Sequence, residues 1–214
     1  MIIGLTGLAG SGKDTVAALL AMKGFQRYAF ADGVREEVAE SIRNVQQVLG
    51  ERNPWSRCMD VLCDLEITKA ILDGEITPEM VWGKPTSPLM RVLLQKHGTE
   101  FRRAQDPEYW VNKLMTQLVW DRARYITKYK EDMVRLNTCR PMEHELVAIS
   151  DVRFPNEVEA IRERGGRIWR VKRDSIGSGD VHISESGQSE IVADVEIDNN
   201  GTVYDLALKV RDLL

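Results

Sequence analysis

The most constraining feature of this chain is its beginning. A short apolar run, Ile2-Ile3-Gly4-Leu5, leads into Thr6-Gly7-Leu8-Ala9-Gly10-Ser11-Gly12-Lys13, after which apolar residues recur at helical spacing at Val16, Ala17, Leu19 and Leu20. The order is strand, glycine loop, helix, and Gly7 to Lys13 fits the spacing G-x-x-x-x-G-K. Glycines at 7, 10 and 12 let the backbone turn tightly enough to aim successive N–H groups inward, and the helix that follows adds its positive N-terminal end. A polyphosphate is the ligand such a loop holds, with Lys13 reaching its β- and γ-phosphates. A purely structural glycine turn would account for the residues but not for their position between strand and helix. Where Ser or Thr usually follows the lysine to hold Mg²⁺, this chain has Asp14, and the hydroxyl comes one residue later at Thr15. Gly10, Ser11, Gly12, Lys13, Asp14 and Thr15 are therefore the candidate nucleotide-binding residues, and the spacing leaves open whether Thr15, with its hydroxyl, or Asp14 is the metal contact. Asp14 is repulsive beside an anion unless it pairs with a cation or meets the metal through water.

The remaining pattern alternates strands with helices. A second strand is expected over Arg27-Tyr28-Ala29-Phe30, then a corner at Ala31-Asp32-Gly33 and a helix from Val34 to Val48. From Arg57 to about Lys128 the chain reads as almost wholly helical, punctuated by Asp73-Gly74, Gly83-Lys84-Pro85, Ser87-Pro88, Gly98 and Asp106-Pro107. Lys128 to Glu145 is polar and aperiodic, which predicts a loop. Strands follow at Leu146–Ile149, Arg167–Val171 and Val192–Ile197, with helices at Asn156–Arg164 and Asp205–Leu214. Alternation of this kind implies right-handed crossovers and a parallel sheet covered on both faces. The expected fold is a three-layer α/β domain spanning 1–214, with a helical insertion over about 34–128 and a lid-like loop over about 174–187.

Composition removes several classes of function. Lys and Arg number 29 against 33 Asp and Glu, a net charge of −4, so no basic field grips a nucleic-acid backbone. No apolar run approaches the roughly 18 residues of a membrane span, and Met1 is followed by no basic leader, so a cytoplasmic protein is expected. Cys58, Cys63 and Cys139 are an odd number without a C-x-x-C pair, which suits reduced thiols better than a disulfide frame or a zinc site.

A phosphate loop specifies a nucleotide, not a reaction. Three further segments narrow the choice: Arg91 to Glu100 with Asp106-Pro107-Glu108-Tyr109-Trp110-Val111; Ile149-Ser150-Asp151-Val152-Arg153-Phe154-Pro155-Asn156-Glu157 with Gly165-Gly166 and Val171-Lys172-Arg173; and His182-Ile183-Ser184-Glu185 before the last strand. Together with the loop these resemble the bacteriophage deoxynucleoside monophosphate kinases over most of the chain, leaving the stretches around 50–82 and 128–144 unmatched. Gly-Lys-Asp-Thr is itself similar to the nucleoside monophosphate kinase branch of P-loop enzymes. The resemblance implies a P-loop NTPase fold of the nucleoside monophosphate kinase type, ATP and Mg²⁺ as cofactors, and a deoxynucleoside 5′-monophosphate as acceptor.

The resemblance also implies site roles, each set beside a structural alternative. Arg35 matches the family's cation facing the acceptor phosphate, although the family often has Pro where this chain has Gly33. Arg91 and Gln95, four apart on one helical face, are placed to grip a phosphate and a base edge; a solvated surface charge is the alternative for Arg91. Asp151 and Arg153 follow the third strand at the carboxyl edge where open α/β sheets bind ligands, with Glu157 a third member; an internal ion pair capping the helix is the alternative. Trp110 either stacks on a base or belongs to the core, and Thr99 either offers a hydroxyl to substrate or caps a helix. For the cation that closes over the transferring phosphoryl group, Arg173 is the first choice, with Arg102 and Arg103 behind it.

Two other readings fit the same motifs: a P-loop kinase for another small phosphorylated acceptor, such as phosphomevalonate or dephospho-coenzyme A, and a non-catalytic ATP-binding switch. Apolar helical stripes over 50–82 leave open packing on the core or on a second subunit, hence a homodimer.

Overall fold

The computed structural model describes residues 1–48, 65–83, 86–136, 146–174 and 190–214. Cys58, Cys63, Cys139, the loop 175–187 with His182 and Glu185, and Lys84-Pro85 lie outside these described residues.

Five parallel strands form the sheet: β1 (Ile2–Thr6), β2 (Gln26–Tyr28), β3 (Val147–Ile149), β4 (Arg167–Lys172) and β5 (Val195–Asp198), in spatial order β2-β3-β1-β4-β5. The helices are α1 (Lys13–Ala21), α2 (Phe30–Val48), α3 (Leu65–Leu72), α4 (Pro88–Gln95), α5 (Tyr109–Leu136), α6 (Pro155–Glu163) and α7 (Val203–Asp212), with a 3₁₀ turn at Pro78–Trp82 and a π-helical segment at Lys96–Arg103.

The two faces of the sheet follow from strand alternation. Ile3 and Leu5 of β1 lie in one core with Val16, Ala17 and Leu20 of α1 and Leu206 and Val210 of α7. Gly4, between them, faces the other side, where a Cβ would come within 2.8 Å of Ile161 on α6 and 2.9 Å of Ile168. Glycine at this position is what lets α6 lie close against the central strand. Helices thus cover both faces, and the α/β architecture with a parallel sheet is as the sequence implies.

The chain divides into two compact units, Met1–Phe30 with Val111–Leu214, and Ala31–Trp110. The first holds the sheet. The second has its own apolar core, in which Val38 and Ile42 of α2 meet Ile67 and Ile71 of α3 and Met90 and Leu93 of α4. The apolar stripe from Leu65 onward therefore packs within its own unit. Its boundaries at Ala31 and Trp110 differ from the expected 34–128 because the stretch after Trp110 belongs with the sheet.

Three local expectations are corrected. The Ala31-Asp32-Gly33 corner is already helix, since α2 starts at Phe30; its first N–H is taken by Asp151 Oδ1 at 2.8 Å, a cap 121 residues away in sequence. The first part of the polar stretch Lys128–Glu145 continues α5 to Leu136 instead of forming a loop, and the remainder, 137–145, lies outside the described residues. Leu146–Ile149 shortens to Val147–Ile149, and the last strand begins at Val195, because Asp194 turns its carboxylate onto the Ile168 N–H at 2.6 Å.

Candidate active site

In the first unit the site is built on the carboxyl edge of the sheet. Gly7, Gly10 and Gly12 have φ of +138°, +79° and +103°, a region that side chains with a Cβ rarely enter. Space is as restrictive as conformation. A Cβ on Gly7 would sit 2.3 Å from the Val171 carbonyl oxygen, and one on Gly12 would sit 2.2 Å from Asn199 Nδ2. The loop is thus pressed between β4 and the residues following β5.

Within the loop, the Ser11 N–H closes a turn onto the Leu8 carbonyl at 3.1 Å, and the Ser11 carbonyl accepts Asn199 Nδ2 at 2.8 Å. The Ser11 backbone is therefore part of the loop's own framework, and its hydroxyl, 1% exposed, has no hydrogen-bond partner among the described residues. α1 begins at Lys13, so its first N–H groups carry no intrahelical bond and form the anion-binding end of the helix. Lys13 Nζ donates to the carbonyls of Gly7 and Leu8, which places the ammonium directly over the loop. Asp14 is exposed in the first turn of α1, where a carboxylate complements the helix dipole. Thr15, half-buried one residue on, supplies the loop's hydroxyl. Mg²⁺ is ordinarily held by one or two protein oxygens together with water and phosphate. A lone hydroxyl at the head of α1 fits that donor set. Among the described residues no cluster of three acidic, His or Cys side chains forms a dedicated cage.

The strand register sets the second element beside the first. Gly4 pairs with Ile149, so Thr6 and Asp151 each lie two residues beyond, and the Val152 N–H still bonds the Leu5 carbonyl at 3.0 Å. Asp151 and Arg153 therefore border the glycine loop. Asp151 caps α2 through Phe30, and Arg153 is half-buried. Glu157 plays a different part from the one the sequence implied. It is 1% exposed, and its Oε2 accepts the N–H groups of Arg153 at 2.7 Å and Phe154 at 3.1 Å. It shapes the Asp-x-Arg turn from beneath and caps α6.

Of the three cations at the end of β4, two are held by Glu196 on β5. Lys172 bonds it at 2.7 Å and Arg170 lies 3.9 Å away. The hydrogen bond from Lys172 holds the Glu196 carboxyl below the ordinary carboxylate range. Arg173 is exposed and has no ion pair among the described residues. Beside it, Asp174 and Asn200 exchange two hydrogen bonds of 2.8 Å, which fasten the end of β4 to the turn after β5.

The second unit carries the other candidates. Arg35 on α2 pairs with Asp32 at 3.0 Å and lies 6.0 Å from the Trp82 ring centroid. Arg91 and Gln95 lie one turn apart on α4, Arg91 exposed and Gln95 half-buried. Thr99 sits inside the π-helical segment, not at a helix start, so capping does not explain it. Trp110 is 3% exposed and donates Nε1 to the Gly98 carbonyl at 2.8 Å; it is a core residue, and base stacking is excluded by burial.

The residues missed from sequence are Asn199 and a cluster about Glu37. Glu37 Oε2 accepts His97 Nε2 and Arg102 Nε, each at 3.0 Å, and Oε1 accepts the Tyr109 hydroxyl at 2.6 Å. Burial first, then the bond to Glu37, raises the Tyr109 hydroxyl above its ordinary pKa. No spacing rule links Glu37 to residues 60 to 72 positions away. The tract Asp106–Trp110 drew attention to Trp110, while the side chain that makes a charged contact is its neighbour.

Comparison with known proteins gives the same direction from independent residues. The family model for deoxynucleotide monophosphate kinase matches residues 67–210, more than half of the chain and wholly downstream of the glycine loop. A protein of Acanthamoeba polyphaga mimivirus, provisionally named a deoxynucleotide monophosphate kinase, is 28% identical over 207 residues, covering 95% of this chain and 90% of its own. Two solved structures are similar: a dephospho-CoA kinase from Campylobacter jejuni at 11% identity and TM-score 0.41, covering 99% of this chain and 94% of that one, and TT1252 from Thermus thermophilus at 20% identity and TM-score 0.42, covering 100% and 95%. With a phosphate loop at the head of a parallel sheet and a family match that begins at residue 67, well after it, the chain belongs to the deoxynucleotide monophosphate kinase family of phosphotransferases.

Proposed function

We propose that the protein transfers the γ-phosphoryl group of ATP to the 5′-phosphate of a deoxynucleoside monophosphate, in a Mg²⁺-dependent reaction that gives ADP and the deoxynucleoside diphosphate. The observation that carries this reading is the placement of the glycine loop and the Asp151-Val152-Arg153 turn side by side on one sheet edge, in a chain of this family. An oxygen of the acceptor phosphate attacks the γ-phosphorus, the bond to the β–γ bridging oxygen breaks, and ADP leaves. Such a transfer needs little covalent help, so the protein's contribution is positioning and charge neutralisation.

The N–H groups at the head of α1 hold the β- and γ-phosphates. Lys13 exchanges its contacts with Gly7 and Leu8 for phosphate oxygens, and Arg173 neutralises charge on the transferring group. Thr15 is the residue that would hold Mg²⁺, whose chemistry is neutralisation of the β- and γ-oxygens. Asp151, Arg153, Arg35, Arg91, Gln95 and Thr99 are the residues assigned to the acceptor. Among the described residues no helix is long and apolar enough to cross a membrane.

The test is a coupled ADP-release assay with ATP, Mg²⁺ and each of dAMP, dGMP, dCMP and dTMP, with the ribonucleotides as controls. Turnover that depends on a deoxynucleotide supports the reading and gives its base preference. Absence of turnover with all of them overturns it in favour of another phosphorylated acceptor or a binding switch.

A further inference from the structure

Arg35 and Trp82 meet inside the second unit, and the sequence explains how each is presented. On α2, Arg35 stands three and seven residues before the buried Val38 and Ile42, so it continues their stripe toward the start of the helix. Its side chain is only 20% exposed, yet its guanidinium makes one hydrogen bond among the described residues, from Nη1 to Asp32 at 3.0 Å. The N–H groups on Nη2 and Nε have no protein acceptor. Trp82 ends the 3₁₀ turn Pro78–Trp82, in which Pro78 and Val81 are buried, and the turn follows the buried Ile76. Those neighbours anchor the turn. Its backbone is fixed by the Met80 N–H on the Thr77 carbonyl and the Gly83 N–H on the Met80 carbonyl, each at 3.1 Å. Trp82 itself is 50% exposed, and its indole N–H has no hydrogen-bond partner among the described residues.

A tryptophan on a rigid turn with half its surface in water adds little to the core, but it suits the binding of a flat ring, because only two χ angles are left to freeze. Among the described residues of this unit it is the one exposed aromatic. Trp110 is buried, and Phe101 and Tyr109 are half-buried, with the Tyr109 hydroxyl already bound to Glu37. Arg35 Cζ lies 6.0 Å from the Trp82 ring centroid, the outer limit of a cation–π contact, so that contact does not by itself account for the exposed ring. What the pair shares is reach. The base and the 5′-phosphate of a nucleotide are joined through a single sugar, so one monophosphate can engage both a guanidinium with unused donors and an aromatic face this close to it. One end then makes charge-assisted hydrogen bonds and the other stacks. Every base has a π-face, so such a platform holds a base without choosing between bases.

We propose that Trp82 stacks on the base of the acceptor nucleotide whose 5′-phosphate Arg35 binds, and so takes the part that the sequence offered to Trp110. This rests on the kinase reading above, and it adds to that reading the residue that distinguishes a nucleotide from a bare sugar phosphate.

The experiment uses the full chain as wild type, Trp82→Ala, Trp82→Leu and Trp82→Phe, each checked by thermal melting. Steady-state kinetics varies each deoxynucleoside monophosphate that the wild type turns over at saturating ATP, then ATP at saturating acceptor. Calorimetric titration compares the same monophosphates with 2-deoxyribose 5-phosphate, which carries the sugar and phosphate without the base. Trp82→Ala and Trp82→Leu raise the acceptor KM about tenfold with the ATP KM within about twofold, and Trp82→Phe, which keeps a flat ring, stays within about threefold of wild type. The wild type binds the nucleotide at least about tenfold more tightly than the sugar phosphate, and Trp82→Ala narrows that gap to about threefold or less. Trp82→Leu keeps the apolar bulk and reports on the ring if Trp82→Ala loses the turn. A folded Trp82→Ala or Trp82→Leu with an acceptor KM within about twofold of wild type overturns the stacking role while the kinase reading stands. An equal loss of affinity for the nucleotide and for 2-deoxyribose 5-phosphate also overturns it, because the effect then runs through the phosphate and not the base. No turnover of any monophosphate by the wild type overturns the kinase reading and this inference together.

Discussion

Lys13 does two things at once. Its ammonium bonds two carbonyls of its own loop, and the loop's glycines are shaped so that this same ammonium stands over the phosphate-binding N–H groups. The carbonyl contacts contribute little to folding, because the side chain is partly exposed and water replaces them. In the proposed reaction a contact from Lys13 to phosphate would gain strength as charge develops on the γ-phosphoryl group. Lys13→Ala is therefore expected to lower kcat by about 10²- to 10³-fold with little change in the melting temperature, measured by the ADP-release assay and a thermal melt. Retained turnover would remove the phosphate-loop assignment. At this scale the sequence was informative where a residue's chemistry depends on its neighbours in the chain, as for Gly7, Gly12 and Lys13. It was silent on Asn199, which binds the Ser11 carbonyl from 188 residues away, and on Glu37, whose donors all come from beyond Ser87. Trp110 and Glu157 show the same limit from the other side. Both stand in motifs that look like substrate contacts, and both are turned inward to satisfy backbone groups.

At the scale of elements, the β-strands and α6 were legible because each is bounded by local signals: alternating burial within the strand, Pro155 at the helix start, Gly165-Gly166 at its end. The start of α2 was not, because the group that caps it is Asp151, contributed by a turn on the far side of the chain. The extension of α5 through Leu136 was missed for a different reason. Lys128, Lys130, Glu131, Asp132 and Arg135 make it polar as a whole, and Tyr129, Met133 and Leu136 alone are too few for their helical spacing to stand out. Two predictions belong here. Glu157→Ala strips the acceptor from two N–H groups at the Asp-x-Arg turn, one of them at the head of α6, and should lower stability by about 1–3 kcal/mol in a denaturant titration. A change within experimental scatter would mean that the turn is held by other contacts. The second concerns α7, which begins with Thr202 and Asp205 capping one another at 3.2 Å and 2.9 Å. Hydrogen bonds from the Thr202 hydroxyl and N–H hold the Asp205 carboxyl below its ordinary pKa. A carboxyl lowered in the folded state contributes stability that is present above its unfolded pKa and is lost as pH falls through the folded value. Asp205→Asn should thus lower the melting temperature at neutral pH and converge with wild type in acid, which flattens the acid limb; a constant offset from wild type across the whole pH range would show that this cap does not report on pH.

For the whole molecule, the residues that the proposed reaction assigns to its two substrates fall mostly in different units. The sheet unit holds those proposed for ATP: the glycine loop, Thr15 and Arg173, with Asn199 fixing the loop from the turn after β5. The unit Ala31–Trp110 holds Arg35, Arg91, Gln95 and Thr99, proposed for the acceptor, and it buries an apolar core of its own. Only Asp151 and Arg153 assign acceptor contacts to the sheet unit. Binding a ligand to one unit should therefore slow amide exchange chiefly in that unit, since local opening is suppressed where the contacts form. In hydrogen–deuterium exchange, a non-hydrolysable ATP analogue with Mg²⁺ is expected to protect peptides covering residues 7–17 and 199–203. The deoxynucleoside monophosphate alone should protect peptides covering 33–40 and 88–104, with a smaller effect at 150–154. Protection by the monophosphate confined to the sheet unit would place the acceptor wholly on Asp151 and Arg153 and would take the assigned role from the second unit.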